Sequence, residues 1–354
     1  MQDRWLILSD GTKFKGHAIG SDNFKSGELA FHTGMSGYME SITDPSYKGQ
    51  SLCFTYPSIG NYGVDLKYDN LQSKTPSISA LIICDSSDYY GDNSEALSLD
   101  QYLKNQNIAG ISGIDTRALV KLQSNDPPLI ARLSDSSSFN INKSQRFESP
   151  VSGVHRFSKS RSGKDLPWIL VIDCGCKQGI IDLVLLCDVN VITIDHRLNY
   201  HEIKDRLESY QAIVISNGPG NPKSYSVLID MLKISLNQQI PIFGVCLGHQ
   251  VLALAAGAET ELLEHAHRSH NQPIIDLKTN RCYNSSQNHS YAVSKDSISK
   301  DWKVWFENLN DGSIEGLSHK NNIFKSVQFH PEGCSGPQDL AGVITDFINE
   351  ATRL

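Results

Sequence analysis

A chain of 354 residues, 39% hydrophobic and 20% charged, has the make-up of a folded globular protein large enough for two cores, which excludes a fibre, a long disordered chain or a bundle of membrane spans. Its net charge of −7, spread without blocks of like sign, offers no electrostatic footprint for nucleic acid or an anionic membrane, so small molecules or another protein are the expected partners. No apolar run reaches the roughly 18 residues of a membrane span, "MQDRWLILSDGTKFKG" lacks a signal-peptide pattern, and the eight cysteines read as reduced thiols; a cytoplasmic location is the simple expectation.

The first 133 residues mix strands and short helices. "RWLILSDGTKFKGHAIG" alternates apolar and polar around Asp10-Gly11 and predicts a hairpin. "SISALIICDSS" is a short apolar strand, and "SLDQYLKNQNIAG" is a helix with Ser98 in front and Gly110 to close it. With no repeated βα rhythm, residues 1–133 are expected to form an α+β domain. Residues 134–167 are rich in Ser, Lys and Arg with little apolar periodicity, and are expected to be a linker.

From 168 to 354 the rhythm changes. "WILVIDCG", "VNVITID", "YQAIVISNGPG" and "QIPIFGVC" are apolar strands. They alternate with helical patterns in "KQGIIDLVLLCD", "NYHEIKDRLES", "YSVLIDMLKISLN" and "LGHQVLALAAG". Four such units predict an α/β domain with a doubly wound, mostly parallel sheet, whose active site lies at the carboxyl ends of the strands.

Two of those strand ends carry glycine-rich turns, "SNGPGNP" and "GVCLGHQ". The second has the strand, turn and helix setting of a nucleophile elbow, with Cys246 in place of serine. Glycines on both sides suit a tight turn, and the helix N-terminus that follows favours a thiolate. A nucleophile needs a base and the base an orienting acceptor. Of the twelve histidines, His330 in "FKSVQFHPEG" follows a strand-like run and precedes Glu332 by two residues, so the carboxylate can hold the imidazole for Cys246. "SNGPG" frees backbone N–H groups suited to an oxyanion or carboxylate; no Lys-Ser/Thr follows it, so it does not cradle phosphate. In "EHAHRSH" the three histidines match no metal-ligand spacing and are expected in a solvated loop, and Cys174 and Cys176 lack the second pair that a zinc site needs, so no metal is expected. "QNHSYAV" offers polar donors ahead of a short strand.

Together "SNGPGNP", "GVCLGHQVLALAAGA", "HRSHNQP", "SSQNHSYAV" and "VQFHPEGCSGPQD" resemble the class I (triad) glutamine amidotransferases over residues 168–354, a flavodoxin-like fold. "FHTGMSGYMESITDPSYKGQSLCFTYPSIGNYGV" and "AGISGIDTRALV" resemble the leading domain of carbamoyl phosphate synthetase small subunits, which other class I amidotransferases lack. The resemblance implies attack by Cys246 on the side-chain amide of L-glutamine, proton transfer by His330 oriented by Glu332, and a glutamyl thioester hydrolysed to glutamate. It implies glutamine contacts at Ser46, Gly218, Gly220, Leu247, Gln250, Asn288, Ser290 and Tyr291, with Leu247 and the Gly220 turn supplying oxyanion donors. It also implies a large synthetase subunit as heterodimeric partner. That subunit would hold the ATP and magnesium and use the ammonia with bicarbonate, leaving this chain without a cofactor. The family pattern is closer to "HRGGNHP" where this chain has "HRSHNQP", and often has Gly-Phe where this chain has Ser290-Tyr291. A free-standing class I cysteine hydrolase, such as a γ-glutamyl peptidase, is the alternative that the second domain alone would allow.

Overall fold

The structure, a computed structural model, describes residues 2–67, 71–87, 96–122, 128–139, 141, 155–158, 166–199, 201–203 and 209–353. The chain divides into two compact units, Met1–Glu148 and Ser149–Leu354.

In the first unit, β1 (Asp3–Leu8) and β2 (Lys13–Gly20) form the hairpin around Asp10-Gly11. They join β3 (Ser26–His32), β4 (Gln50–Phe54), β6 (Ala80–Ile82), β8 (Ala109–Ser112) and β9 (Ile130–Ser134) in a closed barrel of order β1-β2-β8-β6-β4-β3-β9. A separate two-stranded sheet pairs β5 (Ser58–Ile59) with β7 (Asp85–Ser86). The period-two alternation of the strands sorts the apolar side chains. Leu6, Leu8, Phe31, Ile82, Ile111 and Leu133 cluster on one side of the strands. Ala30, Leu52, Phe54 and Leu81 cluster on the other, with residues of the helices Tyr38–Ile42 and Leu99–Asn105. Ser98 caps the second helix by accepting a hydrogen bond from Gln101 N at 3.1 Å. Gly110 does not close it, contrary to expectation: Asn107 takes the left-handed position with φ 56°, and Gly110 pairs within β8. Asparagine tolerates that conformation, so the helix stops three residues sooner than a glycine search predicts.

The second unit holds a ten-stranded sheet of order β10-β12-β11-β13-β14-β19-β18-β17-β15-β16. Its parallel core consists of β12 (Asn190–Asp195), β11 (Trp168–Asp173), β13 (Ala212–Ile215), β14 (Ile242–Val245) and β19 (Phe324–Val327). Strands β11, β13 and β14 are apolar over nearly all their length because both faces are covered, while β12 and β19 also carry polar residues such as Thr193 and Ser326. Ile169, Val171, Val214 and Phe243 pack with the helices Gln178–Leu186 and Gly342–Ala351. Leu170, Ile172, Ile213 and Ile215 pack with Ser226–Asn237 and Leu247–Ala255. Most of the helix expected in "NYHEIKDRLES" lies outside the described residues.

Beyond β19 the sheet continues with antiparallel strands: β18 (Ile314–His319), β17 (Trp302–Asn308), β15 (Thr260–Asp276) and β16 (Arg281–Val293). Their connections are a few residues long, which permits hairpins and forbids crossovers. At the opposite edge β10 (His155–Ser158) pairs antiparallel with β12. So part of the stretch expected to be linker completes the sheet, as a polar segment can when its backbone alone supplies the pairing. Most of the remainder of 134–167 lies outside the described residues.

Candidate active site

Strand β14 ends at Val245 and the helix begins at Leu247, leaving Cys246 alone in the turn with φ 54° and ψ −104°. A non-glycine residue there carries strain of about 1–3 kcal/mol, held by its surroundings. The flanking glycines are a matter of space. A Cβ on Gly244 would stand 2.5 Å from Gly248 O, and one on Gly248 would stand 2.3 Å from Ile215 O. Cys246 N donates to Val327 O at 2.8 Å, tying the elbow to β19. The thiol is therefore fixed at the carboxyl ends of β13, β14 and β19, where a parallel sheet places its chemistry.

His330 and Glu332 follow directly from β19. His330 Nδ1 lies 2.7 Å from Glu332 Oε1, and both side chains are buried. Burial by itself pulls the imidazole down, and Lys177 repels its charge, but Glu332 and the Cys246 sulfur outweigh them and hold the His330 pKa raised. Burial pushes the Glu332 carboxyl up, yet Lys177 and His330 together keep it well below the usual carboxylate range. The other ring nitrogen, His330 Nε2, is buried with no hydrogen-bond partner, an arrangement suited to receiving a proton. The neighbouring histidines behave differently. His249, next to the elbow, is pushed down to about 3 by burial and its Nδ1 meets Ser326 Oγ at 2.9 Å. Burial also holds His289 well below its ordinary value. Among these three, only His330 is built to carry charge.

Lys177 was not singled out in the sequence. Its Nζ lies 2.9 Å from Glu332 Oε1 and donates to Cys334 O at 2.7 Å, and its side chain is 3% exposed. It stands in the turn after β11, where Asn217 Oδ1 accepts from Lys177 N at 3.0 Å and Asn217 Nδ2 donates to Gly175 O at 2.9 Å. The available signal was a lysine in an otherwise apolar strand-turn-helix unit, at a strand end. Cys174 belongs to the apolar core, and burial pushes the Cys174 and Cys176 thiols well up, so neither is prepared for thiolate chemistry.

Seven of the eight residues expected to contact glutamine lie in this unit. A Cβ on Gly218 would strike Cys174 O and Leu247 Cδ2, at 2.3 and 2.7 Å, so this turn lies against the elbow helix. Gly220 follows with φ 86°, and Tyr225 OH pins the turn by donating to Pro219 O at 2.8 Å. Gln250 faces β16: its Nε2 donates to Tyr291 O at 2.6 Å and to Gln328 Oε1 at 2.9 Å. Asn288 brings its carbonyl to 3.8 Å from Cys246 Sγ, and Ser290 Oγ accepts from Arg268 Nη2 at 2.8 Å. Ser46 belongs to the first unit, buried in the one-turn helix Pro45–Tyr47, where Asp44 Oδ1 accepts from Ser46 N at 2.8 Å.

The histidine-rich run is a correction. "EHAHRSH" is not a solvated loop but part of β15, and "QNHSYAV" lies inside β16 rather than ahead of it. His267, His289 and Glu315 are all buried, with ligand-type atoms within 4.8 Å of one another. Their ring nitrogens already have partners: His267 meets Gln287 Oε1 at 2.9 Å and Asp311 Oδ2 at 2.8 Å, and His289 meets Gln287 Oε1 at 3.0 Å and Tyr291 O at 2.9 Å. Burial pulls His267 down, but Glu315 and Asp311 outweigh it and leave its pKa raised. Polar residues at strand spacing with a register shift between Leu262 and His267 disguised a strand as a loop.

Residues 170–350 match the family model described as glutamine amidotransferase class-I, and residues 6–127 match carbamoyl-phosphate synthase small chain, CPSase domain. A carbamoyl phosphate synthase small chain of Oceanobacillus iheyensis is 40% identical over 99% of this chain and 96% of its own length. An arginine-specific carbamoyl phosphate synthase small chain of Candida albicans is 36% identical over 97% of this chain and 84% of its own. The crystal structure of a glutamine amidotransferase from Thermotoga maritima aligns over 54% of this chain and all of that one, at 14% identity and a TM-score of 0.43. The chain belongs to the carbamoyl phosphate synthase small chain family, in which a small-chain domain precedes a class I glutamine amidotransferase domain.

Proposed function

We propose that Cys246 hydrolyses L-glutamine and that the ammonia passes to a large synthetase subunit, with which this chain forms a heterodimer in the cytoplasm. The observation that carries the reading is a strained Cys246 elbow within reach of a buried His330 that Glu332 and Lys177 hold in place. With the Cys246 proton held on His330 Nε2, Sγ bonds to the side-chain amide carbon, and the oxyanion is received by Leu247 N and the Gly220 turn. Among the described residues neither Leu247 N nor Gly220 N donates to another acceptor. Collapse of the tetrahedral adduct breaks the C–N bond, and the leaving nitrogen takes the proton from His330 to depart as ammonia. Water, deprotonated by His330, then splits the thioester into glutamate and the free thiol.

Gln250 recognises the α-ammonium group. Both hydrogens of its Nε2 are committed to Tyr291 O and Gln328 Oε1, so the atom left for substrate is its acceptor, Oε1. Gly218, Gly220, Asn288, Ser290 and Tyr291 line the remaining sides of glutamine. The large subunit holds ATP and magnesium and makes carbamoyl phosphate from bicarbonate. In this chain no phosphate-cradling sequence is paired with a lysine as that chemistry requires.

The test is Cys246→Ser in the complex with the large subunit. Glutamine-dependent carbamoyl phosphate formation should fall by at least about a thousandfold, as loss of a nucleophile does, while synthesis from added ammonia persists. Retained glutamine-dependent synthesis would remove Cys246 from the reaction.

A further inference from the structure

Beside Cys246 stands a fully buried amide that the triad leaves unused. Gln328 follows β19, two residues before His330, and is 0% exposed. Its Nε2 donates to Cys246 Sγ at 3.7 Å, and its Oε1 accepts from Gln250 Nε2 at 2.9 Å. Which end of a side-chain amide is nitrogen is ordinarily open to assignment. Here a backbone atom decides it. Tyr291 O can only accept, so the Gln250 group 2.6 Å away is its NH2, and the second hydrogen of that NH2 requires an acceptor, which makes the facing atom of Gln328 its oxygen. The Gln328 NH2 is thereby left pointing at the sulfur.

We propose that Gln328 is a catalytic residue of this site, the fixed N–H donor that stabilises the Cys246 thiolate. The inference rests on the reading of Cys246 as nucleophile. Two contacts of the sulfur have opposite preferences. The neutral thiol donates to Asn288 O at 3.8 Å; once the proton is on His330, that carbonyl faces an anion and repels it. The Gln328 contact strengthens at the same moment, because a hydrogen bond to an ionised acceptor is roughly twice as strong as a neutral one. Gln328 therefore favours the thiolate over the thiol, first when Sγ attacks the amide and again when Sγ leaves the hydrolysed thioester. Its position is preorganised: Gln328 N donates to Glu315 O, and Cys246 N donates to Val327 O, both at 2.8 Å, so the strand and the elbow move together.

The test reads the sulfur directly. In the full chain without glutamine, alkylation of Cys246 by iodoacetamide is followed against pH in the natural protein, in Gln328→Met, which keeps the bulk and removes the donor, and in Gln328→Glu, which keeps the acceptor for Gln250 and turns an oxygen toward the sulfur. Both variants should alkylate about tenfold more slowly near pH 7, the value of one charge-assisted hydrogen bond, with the profile moved to higher pH and the high-pH plateau preserved. The glutaminase kcat should fall by a similar factor, with KM for glutamine within about twofold. A natural alkylation profile in either folded variant, even with a reduced kcat, overturns the proposal and leaves Gln328 a structural partner of Gln250. Should Gln328→Met not fold, Gln328→Glu decides alone. Activity surviving in Cys246→Ser would dispose of the nucleophile itself without altering what the alkylation profiles say of Gln328.

Discussion

At Glu332 one carboxylate oxygen serves two cations. Oε1 lies 2.7 Å from His330 Nδ1 and 2.9 Å from Lys177 Nζ, while Oε2 is buried without a hydrogen-bond partner. The division of charge follows from the two pKa directions. Glu332 is depressed below its ordinary value of 4.5, so its contribution to stability is present above that value and is lost as pH falls through the depressed one. His330 is raised above 6.5, so its contribution is whole below 6.5 and is lost as pH climbs through the raised value. Both contributions are present together between about pH 5 and 6.5, and His330 remains charged above that. Glu332→Gln removes the anion and leaves two buried cations side by side. Thermal midpoints measured against pH should show the variant most destabilised across that window, by about 3–5 kcal/mol as expected for a broken buried pair. The gap should narrow at acid pH, where the natural carboxylate is itself protonated. The kcat for glutamine should fall by up to about 10⁴-fold, as when the carboxylate that orients a catalytic histidine is replaced by its amide. Equal midpoints across the whole pH range would mean that the three charges are not coupled as the geometry requires.

Among whole elements, the central strands β11, β13 and β14 were legible because burial on both faces makes them nearly continuous apolar runs, as in Leu170 and Ile172 against Ile169 and Val171. The elbow was legible for a related reason: Gly244 and Gly248 are demanded by backbone packing, and that demand shows in the letters. Lys177 and Gln328 were hidden because a buried polar residue looks like any other polar residue until its partners are known. Closure of the first barrel was hidden too, since it depends on which edges meet. One residue at that seam is Arg4, 0% exposed, on β1 between β2 and β9. Its Nη1 donates to Ile19 O, Ser21 O and Gly110 O at 2.9, 3.1 and 3.0 Å, and its other nitrogens reach Asp22 and Asp135. The two carboxylates are partly solvated and add little; the three carbonyls would be left without their donor. Arg4→Met should therefore cost at least about 3 kcal/mol in urea unfolding, far more than a surface arginine. A loss below about 1 kcal/mol would show that water replaces the guanidinium and that the barrel closes on its strands alone.

For the molecule as a whole the question is where the ammonia goes. The thiol, base, carboxylate and glycine turns all lie in the second unit, on strands and turns of one sheet, so hydrolysis of glutamine by the chain alone is expected. That same completeness is what a free-standing γ-glutamyl hydrolase would need, and the site alone does not separate the two. The first unit does: it matches a small-chain domain over residues 6–127, and the relatives match over nearly their whole length. A chain that feeds a partner gains by keeping its hydrolysis slow until the partner can use the product. Adding a large carbamoyl phosphate synthase subunit with bicarbonate and ATP should therefore raise glutaminase kcat/KM by about 5–150-fold, the range of an ordinary coupling of 1–3 kcal/mol between sites. Ammonia released to solution should drop at the same time, because it is consumed where it arrives. Measuring glutamate, free ammonia and carbamoyl phosphate in one reaction reads all three. Full activity in the isolated chain, unmoved by the large subunit and greater on γ-glutamyl peptides than on glutamine, would instead make this a hydrolase that has kept a small-chain domain for some other purpose.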